Sequence, residues 1–508
     1  MFCFFYCTRP EDLRIHARLG TMLMTLQFTT IVFVIVMLVL FQLSPGQLRK
    51  YVLLLGSLGY IFVEGGVLGL TVILLVTLIS WGTGRVFFAG KETTNEGRSR
   101  KIAMISVIAL LSAVLFGWKY LPWLAGVLGK DVSGKTWAAV PIGLSFYTFQ
   151  AISYVADLYT GKMKPLKSPV KYSIYMTWFP KWMSGPIERV GTFIDQLKYS
   201  GNIRSYSFLR ITAAAPYFIW GLVMKLLIAD KIAKPVDAAF ADIGSMGPLA
   251  LLLASLLYTL QIYCDFAGYT NIAIGLSKLF GIDLTQNFKT PYFAENITDF
   301  WRRWHISLSS FLRDYIYIPL GGNRKGALRK HLNTVIVFFI CGMWHGAGLS
   351  FIVWGLLHGF FSIVTAFLKK SKLDFLVKGG IGRVLTFIAV SFAWIFFRAD
   401  SMSQALQFIK GMVPGINANG AAAGLAISEG EILSLGTMDW WIAGIALAVL
   451  VVLDILSYRR DSVPPALMIE SLGANRRIVI LAAVLSLVLI FGEYGAGEDI
   501  RKFVYMNF

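Results

Sequence analysis

The sequence is short of charge, of cysteine and of polar intervals. Only 15% of its 508 residues are Asp, Glu, Lys or Arg, where a soluble globular domain carries about 25%. Hydrophobic residues make up 56% and the mean hydropathy is +0.65, which excludes a water-soluble globule. Cys3, Cys7, Cys264 and Cys341 are scattered with neither zinc nor disulfide-framework spacing, so no metal is implied. No internal repeat, low-complexity linker or soluble domain is visible. A cleavable signal peptide is also missing, because the first apolar run lacks a small-residue cleavage site and many others follow it. Acidic residues are scarce beside basic ones, 28 against 47, for a formal charge of +19. In a soluble protein that excess would suggest nucleic acid. Here the Lys and Arg lie between apolar runs, as the positive-inside rule demands, and no nucleic-acid partner is expected.

What the sequence has is apolar runs. They recur at Met22 to Leu43, Val67 to Trp81, Ile102 to Gly117, Ile211 to Ile228, Leu249 to Cys264 and Val335 to Trp344. Others follow at Phe351 to Leu368, Leu385 to Phe397, Trp440 to Leu456 and Ile478 to Phe491. These predict an all-α polytopic membrane protein of roughly ten to twelve transmembrane helices, some short or tilted. Residues 22–508 read as a single membrane domain, preceded by a polar extension over 1–21. Basic loops at Arg85 to Lys101, Lys162 to Lys171, Arg324 to Lys330, Lys369 to Lys378 and Arg459 to Arg477 are assigned to the cytoplasm, and Asp400 to Asp439 to the outside.

The stretch Tyr292 to Arg329 is rich in charge and aromatics yet bounded by apolar spans, so function is expected there. From Phe300, apolar residues at 300, 301, 304, 308, 311, 312 and 315 follow helical spacing. This predicts one amphipathic helix, with Arg302, Arg303, Ser309, Ser310 and Arg313 on its polar side and His305 at the border. The loop containing Gly321, Gly322, Asn323 and Arg324 is either a cradle of amides for a phosphate-bearing donor or a plain turn.

His345, between Trp344 and Gly346 at the end of an apolar span, is the best catalytic candidate. An imidazole titrates near neutrality and can take a proton from a hydroxyl as it attacks a thioester. A structural histidine is the alternative. Cys341, one helical turn earlier, could form an acyl-cysteine or simply pack. His358 lies on another face if the helix continues, which suits packing or support of the site. His16 and His331 read as solvated. Asp265, near the end of an apolar span, is functional or paired with an arginine, the ion pair being preferred.

These residues together resemble the membrane-bound O-acyltransferase superfamily, in the branch of bacterial alginate, peptidoglycan and cellulose O-acetylation proteins. The resemblance rests on Pro141-Ile142-Gly143-Leu144-Ser145-Phe146-Tyr147, Phe179-Pro180 with Ser184-Gly185-Pro186, the Asp265 segment, Phe300 to Asn323, Trp344-His345-Gly346 and Trp394 to Asp400. It implies a multi-helix funnel with short re-entrant or interfacial helices around a central tunnel, in the bacterial plasma membrane. A thioester donor, acetyl-coenzyme A or an acyl carrier protein, would enter from the cytoplasm and a polymer hydroxyl from outside, with no bound cofactor.

His345 matches the family's essential histidine, and His305 its second active-site polar residue, with an orienting or oxyanion-stabilising role. Trp301, Arg302, Arg303, Trp304, Arg313, Asp314, Gly321, Gly322, Asn323 and Trp344 become candidates for lining the donor tunnel. The branch often works with a secreted or membrane-tethered esterase-like partner. Proteins that transfer D-alanine to teichoic acid share the Trp-His-Ile-Ser and Trp-His-Gly elements, while Arg302 and the Gly-Gly-Asn loop favour the acetyl branch. The expected function is therefore acyl transfer, most readily of acetyl, to an envelope polysaccharide, peptidoglycan or teichoic acid. A transporter or flippase is the rival from another class, and the inverted repeats that would support it are not visible.

Overall fold

The computed structural model describes residues 30–90, 94–130, 139–200, 208–414 and 436–493, and among the described residues every regular element is helical. The polar extension over 1–21, with Cys3, Cys7 and His16, lies outside the described residues, as does most of the stretch expected to be external.

Helix α1 (Thr30–Leu43) leads into α2 (Arg49–Phe87), whose 39 residues would reach about 58 Å at 1.5 Å per residue, well beyond a hydrocarbon layer of about 30 Å. A kink at Gly66 (φ 63°, ψ −170°) interrupts it, in a conformation open essentially to glycine alone. Then come α3 (Thr94–Val127) and α4 (Leu144–Tyr159), and the short α5 (Pro169–Thr177), α6 (Phe179–Trp182) and α7 (Val190–Ser200). Helix α8 (Phe208–Leu222) passes through a π-helical turn, Val223–Ala229, into α9 (Asp230–Ala241), and α10 (Pro248–Leu279) follows. The central segment holds α11 (Ile297–Arg303), α12 (Ile306–Leu312), a π-helical turn at Arg313–Tyr317, α13 (Gly326–His345), α14 (Leu349–Leu368), α15 (Gly379–Arg398) and α16 (Met402–Gly411). Two long helices, Thr437–Arg459 and Ala474–Phe491, complete the described chain.

Among the described residues, eight helical runs are long and apolar enough to cross a membrane, with α8, the π-helical turn and α9 forming one of them. Two further expected spans lie outside this set: α1 is described only from Thr30 onward, and α13 carries Arg329 and Lys330 in its first turns. The most apolar window of α10 is 67% buried within the protein, against 11% for Ala474–Phe491, so α10 is central and the last helix peripheral.

Glycine decides two helix crossings. A Cβ on Gly221 of α8 would lie 2.7 Å from the carbonyl oxygen of Gly268 on α10, and one on Gly355 of α14 would lie 2.2 Å from that of Phe338 on α13. Helices in lipid gain no hydrophobic drive from meeting one another, so such close backbone approach supplies the contact. The second crossing holds the α13–α14 hairpin that carries His345.

The buried carboxylate Asp265 pairs at 2.7 Å with Lys225 of the π-helical turn, which also meets Asp230 at 2.8 Å. The expectation of an ion pair is met, but with lysine as the partner rather than arginine. The widened turn places Lys225 toward α10, something α-helical spacing in the sequence does not reveal.

Candidate active site

The single amphipathic helix expected from Phe300 onward is two helices. Helix α11 ends at Arg303, and His305 takes a left-handed conformation (φ 43°, ψ 55°) before α12 begins at Ile306. The apolar spacing survives the break, since Phe300, Trp301, Trp304, Leu308, Phe311 and Leu312 are all buried. His305 does not remain at the border. It is fully buried, with its ring 4.7 Å from Phe266 on α10 and stacked at 6.4 Å on Phe146 of α4.

His345 is the last residue of α13 and is also buried. The carbonyls that end this helix are taken by α3. Lys119 Nζ donates to Trp344 O at 2.5 Å and His345 O at 3.3 Å, while the Tyr120 hydroxyl donates to Met343 O at 3.1 Å or Gly346 O at 3.2 Å. The helix end that presents His345 therefore has its orphan carbonyls satisfied. The Trp344 indole donates to Ser145 O at 3.3 Å, and Phe146 and Phe149 each lie 5.3 Å from its ring. The Pro141 to Tyr147 motif thus packs against both histidine-bearing segments.

Two tryptophans join three histidines. Trp344 is 6.1 Å from His305 and 4.8 Å from His345, and Trp354 is 4.8 Å from His345 and 5.0 Å from His358, ring centre to ring centre. The premise that separated His345 from His358, one continuous helix, does not hold: the chain leaves the helix after His345, re-enters it at Leu349, and folds back. His358 accepts a hydrogen bond at Nδ1 from Trp301 Nε1 at 3.3 Å, which assigns its proton to Nε2 in the neutral ring. That pairing suits the supporting role expected of it.

The other candidates separate from this cluster. Arg302 is exposed, and Arg303 is bound to Asp299 at 3.0 Å with Ser462 at 3.1 Å. Arg313 is exposed and bonded to Asp314, which meets Arg189 at 3.3 Å. The Arg189 guanidinium lies over Phe311, which stacks on Phe149, so this polar group stands two rings away from Trp344.

The Gly321–Gly322–Asn323 loop is a turn in this conformation. The amides of Gly321, Gly322 and Arg324 already donate to Ile318, Tyr317 and Gly321 carbonyls, and Asn323 accepts from Tyr317. The cradle reading required those amides to be free. Cys341 packs in the core one turn before His345. His331, expected in solvent, is half-buried with its ring stacked at 5.1 Å on Phe367.

Sequence reasoning missed Lys119 and Tyr120. The signal was present, a lysine among apolar residues, but the expected span stopped at Gly117 just short of it.

Fold and site define a helical, polytopic membrane protein whose interior gathers histidines on an aromatic wall. The family model of membrane-bound O-acyltransferases matches residues 165–397, from before α5 to the end region of α15. The chain is 32% identical over 378 residues to the probable alginate O-acetylase AlgI of Azotobacter vinelandii, covering 73% of this chain and 74% of that protein. It is 38% identical over 304 residues to the peptidoglycan O-acetyltransferase of Helicobacter pylori, covering 55% and 57%. With the teichoic acid D-alanyltransferase of Bacillus subtilis it shares 29% over 236 residues, 45% of this chain and 60% of that one. The chain belongs to the membrane-bound O-acyltransferase family: it is a multi-pass membrane protein and an acyltransferase.

Proposed function

We propose that this acyltransferase moves an acetyl group from a cytoplasmic thioester to a hydroxyl of an extracytoplasmic envelope polysaccharide, with His345 as general base. The observation that carries the assignment is the setting of His345, at a helix end bound by Lys119 and Tyr120, with His305 on the other side of Trp344.

In this mechanism the His345 imidazole accepts the acceptor's hydroxyl proton as its oxygen attacks the thioester carbonyl. The tetrahedral intermediate then collapses, the carbon–sulfur bond breaks, and the proton passes from His345 to the departing thiolate. His305 orients the acyl group or stabilises the oxyanion. The donor, acetyl-coenzyme A or an acyl carrier protein, is a substrate. Delivery to the polymer runs through a secreted or membrane-tethered partner. The acetyl assignment is supported by relatives described as O-acetylating enzymes at 32% and 38% identity, above the 29% of the D-alanyl relative.

The test is base-labile acetate in purified envelope polymers from wild type, a deletion, and the deletion carrying His345→Ala. Acetate lost in the deletion and not restored by the variant supports the proposal. Loss of ester-linked D-alanine instead transfers the chain to the teichoic acid reading, which the Bacillus relative favours. Unchanged esters in every fraction would remove acyl transfer to the envelope altogether.

A further inference from the structure

His305 occupies a left-handed backbone conformation (φ 43°) that L side chains rarely adopt because it brings Cβ against the following carbonyl oxygen. Among the described residues only Thr290, Asp461 and Ser462 share a positive φ without being glycine. Something must hold it there. As the residue before α12, His305 stands at the N-cap, whose side chain ordinarily accepts a hydrogen bond from the first turn. It makes no such bond.

The duty is carried from 20 residues away. Asn287 Oδ1 accepts from Ser307 N at 3.1 Å, and Asn287 O accepts from Ile306 N at 3.0 Å. One residue thus takes two of the amides that open α12. Two positions further on, Lys289 N donates to Arg303 O at 2.9 Å, so the same segment also closes the end of α11. Upstream, Glu188 accepts from Thr285 N at 2.6 Å and from its hydroxyl at 3.0 Å. Asn287 is fully buried, and its Nδ2 has no hydrogen-bond partner among the described residues, so the protein uses this side chain as an acceptor.

We infer that Asn287 is a positioning residue for His305: by capping α12 in place of the N-cap side chain, it holds the helix break that turns the imidazole inward. This inference rests on the reading that His305 takes part in acyl transfer. A neutral amide suits the task, since it supplies the acceptor without burying a charge.

The experiment is a double-mutant cycle in the deletion strain, with wild type, Asn287→Ala, His305→Ala and the double variant at matched membrane abundance. The readout is the initial rate at which labelled ester-linked acyl groups enter the envelope. Asn287→Ala is expected to slow transfer on the order of 10- to 100-fold, as misplacement of a reacting group does. In the His305→Ala background the same change should cost less than about twofold, because a residue acting through another has nothing left to act on. Should Asn287→Ala fail to insert, Asn287→Leu, which keeps the side-chain volume and removes the acceptor, carries the same cycle. Full multiplication of the two losses, or a wild-type rate for Asn287→Ala, overturns the inference. A wild type indistinguishable from the deletion would instead remove the proposed function, and this role with it.

Discussion

The protein buries two polar constellations, and they are built in opposite ways. Around α8, α9 and α10, charge meets charge: Lys225 lies between Asp265 and Asp230 at 2.7 and 2.8 Å. Around α11 to α14, three histidines sit among tryptophans and phenylalanines, joined by ring contacts from His305 to His358. Polarity neutralised by a fixed partner stabilises a fold. In the proposed reaction, by contrast, an imidazole of the second cluster exchanges a proton with a substrate.

Substitutions in the two regions should therefore separate activity from stability. The largest effect is expected from His345→Ala, a loss of acyl transfer on the order of 10²- to 10⁴-fold with unchanged membrane insertion and thermal unfolding; retained ester formation would erase the distinction. Lys225→Met should do the reverse. It leaves two buried carboxylates without that cation, and breaking a buried pair costs about 3–5 kcal/mol. Lower thermal stability and abundance, with activity per folded molecule nearly unchanged, would confirm that this cluster is structural, whereas a selective loss of rate would place it in the reaction.

Smaller effects sharpen the boundary. Lys119→Met removes the donor from the carbonyls that end α13 and should slow transfer about tenfold, the scale of one lost buried hydrogen bond; steady-state rates in membranes at matched abundance would measure it. Cys341→Ala should change the rate less than about twofold, because this thiol packs in the core. A hydroxylamine-sensitive acyl-protein adduct present in the parent and missing in that variant would contradict the expectation.

Much of this contrast was legible in the sequence, and the reasons differ by residue. His345 stood out as a lone histidine at the end of an apolar run. The period of the run from Phe300 identified the residues that bury, because side-chain direction follows helical spacing even across the break. Asp265 was legible as paired because an ionisable group at membrane depth needs a partner. The partner's identity was not, since it depends on a π-helical turn. Lys119 and Ser145 reach Trp344 across 225 and 199 positions of sequence, a separation no local pattern encodes.

Composition and hydropathy by themselves determined that the chain is all-helical and membrane-embedded, because lipid offers the backbone no hydrogen bonds and leaves it few alternatives. Residue spacing determined which faces of the helices bury. Only the tertiary structure decided that the helix breaks at His305, that the chain folds back after His345 to bring His358 onto Trp354, and that α3 closes the end of α13. Each of these is set by where a distant donor or acceptor lies in space: Asn287 for the break, Trp301 for His358, Lys119 and Tyr120 for the helix end.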